Sequence, residues 1–154
     1  MIHNKLAISL VSTVCLCCVG TLQAIELRVL SESAHDLKVT SIDGGWQFET
    51  AGPDPYIMTE LKEAMKPQTQ VLEFEYTCPL PIKSPSLYFG PPIISTNQFE
   101  LPTIGQAEGW HKYIADLTRR RGQELPLSTR ILRIDFGSIS GMTIRLRNFR
   151  IRTF

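Results

Sequence analysis

Residues 142–152 read MTIRLRNFRIR. In the first half the apolar residues Met142, Ile144 and Leu146 fall at even numbers, and Thr143, Arg145 and Arg147 fall between them. A period of two is the signature of a β-strand with one face on a core and the other in water. After Asn148 the pattern changes parity, so that Phe149 and Ile151 are the apolar residues and Arg150 and Arg152 the polar ones. A slip of one residue would turn every later side chain to the wrong face unless the backbone absorbs an extra residue. The stretch therefore predicts a strand with a β-bulge near Arg147–Asn148.

The same period runs through the chain. In 71–78, VLEFEYTC, Leu72, Phe74, Tyr76 and Cys78 share one face and Glu73 and Glu75 the other. In 130–136, RILRIDF, Leu132, Ile134 and Phe136 alternate with Arg133 and Asp135. Further strands are expected at 25–30, 45–50, 86–89 and 110–117, with weaker ones near 38–41, 55–58 and 97–101. Turn residues separate them: Asp43-Gly44-Gly45, Gly52-Pro53-Asp54-Pro55, the span Pro79 to Pro85, Gly90-Pro91-Pro92, and Ser138 to Gly141. One segment, TELKEAMK at 59–66, has a helical composition and is stopped by Pro67, but it is too short to stand alone. Short strands with turns roughly every 8–15 residues predict an all-β chain, an antiparallel β-sandwich of jelly-roll type.

The chain has 154 residues, 43% of them hydrophobic and 20% charged, which suits one globular domain and excludes a disordered chain. Residues 1–24, MIHNKLAISLVSTVCLCCVGTLQA, differ in kind: one cation, Lys5, then an apolar run from Leu6 to Val19, then weakly polar residues ending in Ala24. This is the layout of a cleavable, helical secretory signal peptide. The apolar run is shorter than the roughly 20 residues that cross a bilayer. The expectation is a signal peptide at 1–24, a single domain at 25–154, a secreted or periplasmic location, and no membrane span after cleavage. Cys15, Cys17 and Cys18 belong to the signal and none sits in a lipidation context. That leaves Cys78 alone, on the apolar face of its strand, where a thiol is inert.

A longer series of residues carries a resemblance. It comprises Gly45-Trp46-Gln47-Phe48, Gly52-Pro53-Asp54-Pro55-Tyr56-Ile57, Leu72-Glu73-Phe74-Glu75-Tyr76 and Gly109-Trp110-His111-Lys112-Tyr113 with Asp116-Leu117. It continues with Leu132-Arg133-Ile134-Asp135-Phe136-Gly137 and Ile144-Arg145-Leu146-Arg147-Asn148-Phe149-Arg150-Ile151-Arg152. Over residues 40–153 the chain resembles the galactose-binding-like β-sandwich domains, such as the carbohydrate-binding modules of secreted bacterial carbohydrate-active enzymes. The resemblance implies a jelly roll, a ligand at the loops or on a sheet face, and in some members a structural Ca²⁺.

Chemistry-bearing motifs are sparse. The 25–154 chain has two histidines, His35 and His111, and none of the GxSxG, HExxH, CxxC or glycine-rich phosphate patterns, so no enzyme activity is expected. His111 shares the parity of Tyr113, Ala115 and Leu117, which predicts a buried, hydrogen-bonded imidazole. Asp54, fixed between two prolines, would suit a Ca²⁺ ion or a sugar hydroxyl; an Asx-turn that caps its own loop accounts for it more simply, and without a DxDxDG-like run no cofactor or metal is expected.

Sugar recognition needs flat apolar platforms beside a few placed polar groups. Trp110 has the opposite parity from Tyr113, Ala115 and Leu117 and shares its face with Lys112 and Asp116. Facing outward, it would form a platform with Lys112, Asp116 and Asp54 as polar partners, or else staple the turn at Gly109. Trp46 shares parity with Phe48 and reads as core, and of the adjacent Tyr88 and Phe89 one must face away from it.

Charge divides the chain. Residues 25–108 hold five Lys and Arg against twelve Asp and Glu, whereas residues 109–154 hold ten against three. An exported, neutral domain is not expected to meet nucleic acid. Interleaved strands would instead pair Glu73 and Glu75 with the C-terminal arginines, leaving Arg119-Arg120-Arg121 as a basic patch for acidic polysaccharide. The expected function is a secreted non-catalytic module that binds carbohydrate or another surface ligand. The alternatives are an envelope protein-interaction or assembly module and, behind it, a small glycan-active enzyme.

Overall fold

The computed structural model describes residues 23–65, 70–117 and 125–153. Residues 1–22 of the expected signal helix at 1–24 and the Arg119–Arg121 run lie outside the described residues, while Gln23 and Ala24 open a strand, paired with Thr153 and Arg152. Among the described residues ten antiparallel strands form one continuous hydrogen-bonded network. They are β1 (Gln23–His35), β2 (Leu37–Ile42), β3 (Gly45–Thr50), β4 (Tyr56–Leu61), β5 (Gln70–Cys78), β6 (Ser86–Gly90), β7 (Gln98–Glu100), β8 (Ala107–Asp116), β9 (Ile131–Asp135) and β10 (Thr143–Thr153). Among the described residues no helix is long and apolar enough to cross a membrane.

The network folds into two layers because β1 belongs to both. Its first residues, Gln23–Glu26, pair with the end of β10, and from Leu27 onward it pairs with β4. The first layer runs β2-β3-β10-β5-β8 and the second β1-β4-β9-β6-β7. Inward positions follow the alternation: Leu72, Phe74, Tyr76 and Cys78 on β5, Leu132 and Ile134 on β9, Ile144, Leu146, Phe149 and Ile151 on β10 are all buried. Phe48 of the first layer meets Phe136, at the end of β9, with ring centroids 5.5 Å apart, so the layers share one core. Each such large side chain contributes about 1.5–3 kcal/mol by leaving water. The expected β-sandwich is therefore present.

The parity slip in 142–152 is a bulge within a single strand. The β10–β5 register shifts between Arg147 and Arg150, and Asn148 takes a φ of 53°. Asn enters the left-handed region at lower cost than a branched residue, so it sits where the chain must gain one residue. Arg145, Arg147, Arg150 and Arg152 thereby all reach the outer face of the first layer.

The described part of the helical candidate, residues 59–65, forms no helix. Thr59 to Leu61 complete β4, with β1 on one side and β9 on the other, and Thr59 and Leu61 are buried. Pairing with two strands while burying alternate side chains stabilises this segment more than a two-turn helix could, whatever its composition.

Candidate functional site

The second layer turns a distinctive set of side chains away from the core. Strand register sorts them into two adjacent rows: Leu30, Met58, Arg133, Tyr88 and Gln98, and beside them His35, Tyr56, Asp135, Ser86 and Glu100. Each row crosses five strands, roughly 19 Å at normal strand spacing.

Arg133 is the hub. Its guanidinium carbon lies 3.7 Å from the Tyr56 ring centroid and 5.1 Å from that of Tyr88, so the cation sits between two aromatic faces. Its Nε and Nη2 donate to the two carboxylate oxygens of Asp135 at 2.6 and 2.8 Å, a bidentate pair that fixes the plane of the fork. Tyr56 is stacked on His35, with centroids 4.8 Å apart and planes 8° from parallel. Gln98 donates to the Ser86 hydroxyl at 2.9 Å. The rings and the guanidinium form a partly exposed platform, and the carboxylate, hydroxyl and amide groups lie beside it.

The entrance is clipped by a loop. The backbone N–H of Asp54 donates to the Asp36 carboxylate at 3.0 Å, and His35 Nδ1 pairs with the Asp54 carbonyl at 3.1 Å. Asp36, not an Asx-turn of Asp54 itself, therefore holds the Gly52–Pro55 loop. The Asp54 carboxylate is left 60% exposed, 3.6 Å from Arg133. Burial raises the Asp135 carboxyl above the usual carboxylate range, and the Arg133 bond opposes this without cancelling it. Burial likewise raises the Tyr88 hydroxyl, with the Asp135 charge acting in the same direction. A carboxylate whose desolvation is not relieved by its own ion pair points to a functional position.

The residues singled out from sequence fall on opposite layers. Trp110, Lys112 and Asp116 share the outer face of β8 in the first layer, while Asp54 belongs to the second-layer site. Trp110 is 38% exposed, but the Arg147 guanidinium stands 4.2 Å over its ring. Lys112 reaches Glu73 at 3.2 Å. His111 is exposed, contrary to expectation, because it lies where the β8–β5 register shifts between Tyr76 and Cys78 and the strand end is no longer covered. Trp46 packs against the core, and Phe89 points inward, leaving Tyr88 for the site. Among the described residues no group of three or more His, Cys, Asp or Glu side chains could hold a metal ion.

Sequence reading placed Arg133 and Asp135 on a solvent face but did not join them to Tyr56 and Tyr88. The usable signal was the Arg-x-Asp spacing, which puts both groups side by side on one strand face.

Solved structures similar to this chain include carbohydrate-binding modules of family 29. One is 13% identical, with a TM-score of 0.60, and the match covers 86% of this chain and 89% of that one. Another, from Piromyces equi, is 9% identical with a TM-score of 0.60, covering 87% and 92%. In fold, the chain is a β-sandwich like those modules. A third such module, a lysine-to-alanine variant solved in complex with cellulohexaose, is 12% identical with a TM-score of 0.60, covering 86% and 92%. No protein-family model and no curated protein matches the chain.

Proposed function

We propose that this protein is an exported, non-catalytic module that binds an oligosaccharide along the outer face of its second layer. The observation that carries this reading is the Arg133 guanidinium held between Tyr56 and Tyr88 and locked by Asp135. Sugar rings would lie their C–H faces on the tyrosines, and the edges of the neighbouring polar groups would take hydroxyls. Related folds solved with mannohexaose and cellulohexaose support the choice of ligand class. Export rests on the composition of residues 1–24, and N-terminal sequencing of protein recovered from the culture fluid or periplasm tests it.

Affinity electrophoresis against mannan and soluble cellulose derivatives should show retardation that falls about tenfold or more in Tyr88→Ala, a loss of about 1.4 kcal/mol or more. Arg133→Ala should act in the same direction, but it strips the partner from a half-buried carboxylate, so circular dichroism must first show that it is folded. Trp110→Ala reports on the opposite layer and is expected to leave this binding unchanged. Retardation lost in Trp110→Ala and kept in Tyr88→Ala would move the platform to β8.

A further inference from the structure

Strand β8 ends the first layer. It pairs with β5 on one side, and among the described residues no strand pairs with its other side. At 10 residues it is longer than β2 and β7, which also end their layers and have 6 and 3. A long strand edge presents a row of backbone donors and acceptors that another strand can pair with.

The ladder to β5 shows which groups face that edge. The Leu117 N–H donates to the Gln70 carbonyl at 2.9 Å, and the register then runs unbroken from Asp116 opposite Val71 to His111 opposite Tyr76. Bonded and non-bonded pairs alternate in an antiparallel ladder, so His111, Tyr113, Ala115 and Leu117 direct their backbone groups to β5. Lys112, Ile114 and Asp116 turn theirs to the open edge. Their side chains share the outer face, where Ile114 is 56% exposed.

This stretch is self-complementary in one antiparallel register. With Ile114 opposite Ile114 of a second copy on a two-fold axis, each Lys112 stands opposite the other copy's Asp116, and all the edge-facing groups of 112, 114 and 116 are paired. Shifting the register either way within this stretch sets a charge against Ile114 or against its like. The choice rests on avoided like-charge contact, not on a vacant charge, since Lys112 already reaches Glu73 within one copy.

We infer that the protein self-associates as a two-fold dimer by pairing β8 with β8 of a second copy, centred on Ile114. The axis stands perpendicular to the shared sheet, so the second layers of both copies face the same side. A bivalent sugar-binding surface is the consequence, and that consequence alone rests on the proposed function.

Sedimentation velocity of the purified protein from about 1 μM to about 1 mM tests the dimer, with reversible self-association expected inside that range. Ile114→Pro removes an edge-facing N–H without touching a bond to β5, and should weaken association about tenfold or more while circular dichroism shows a β fold. Tyr88→Ala should leave it unchanged. In the dimer the two Ile114 Cα atoms would lie about 5.5 Å apart, within disulfide reach, and the two Lys112 Cα atoms about 14 Å apart. Ile114→Cys should therefore cross-link under mild oxidation at least about tenfold faster than Lys112→Cys, with the native Cys78 buried and out of reach. The inference is overturned by a monomer at all these concentrations, by undiminished association of a folded Ile114→Pro variant, or by equal cross-linking of the two cysteine variants.

Discussion

Glu73 shows how much one side chain departs from its place in a pattern. Its parity puts it on the solvent face of β5, yet it is 3% exposed, because Arg150, Arg152 and Lys112 converge on it. Burial alone would raise its carboxyl, but the hydrogen bonds from those cations outweigh burial and hold it at about 2. A carboxyl lower in the folded than in the unfolded state, where it sits near 4.5, stabilises the fold fully above pH 4.5. That contribution is lost as the pH falls from 4.5 toward 2. Glu73→Gln should cost about 1–3 kcal/mol at neutral pH, and urea titrations should show a smaller deficit at pH 3. Alternation alone could not reveal this burial, since the cover comes from long cationic side chains of another strand. Cys78 is the simpler case. Its sulfur lies 3.1 Å from the Gly105 carbonyl, and burial pushes the thiol up, so Ellman's reagent should label it only in denaturant.

At the scale of the element, β10 was the most legible part of the molecule and β4 the least. The parity slip at Asn148 announced a bulge because a strand with two apolar halves out of phase has no other way to bury both. Asn148→Val should cost about 1–2 kcal/mol in urea titrations, from a branched residue forced to a φ of 53° and from the lost contact of Asn148 with Glu75. Asn148→Gly should stay within about 1 kcal/mol of the parent. A reversed order would place the bulge strain elsewhere. In β4 the composition of Thr59–Lys66 pointed to a helix, and the outcome was decided by β1 and β9, which lie far away in sequence. Local propensity carries no information about which neighbours a strand will find.

For the whole molecule, the acidic first part and basic last part of the sequence are interleaved: β5 lies between β10 and β8, which brings Glu73 and Glu75 against Arg150, Arg152 and Arg147. That much followed from treating the strands as neighbours. The second-layer face was harder to see, because β1, β4, β9, β6 and β7 each contribute only two residues to its two rows and only register aligns them. A single strand such as RILRIDF shows that Arg133 and Asp135 point the same way, and nothing in it names Tyr56 or Tyr88 as their companions. The most direct test is an NMR titration of the 25–154 domain with mannohexaose and with cellulohexaose. Saturable shifts should cluster on Tyr56, Tyr88, Arg133 and Asp135 and vanish in Tyr88→Ala; shifts confined to β8 around Trp110, or no shifts with either sugar, would contradict the assignment.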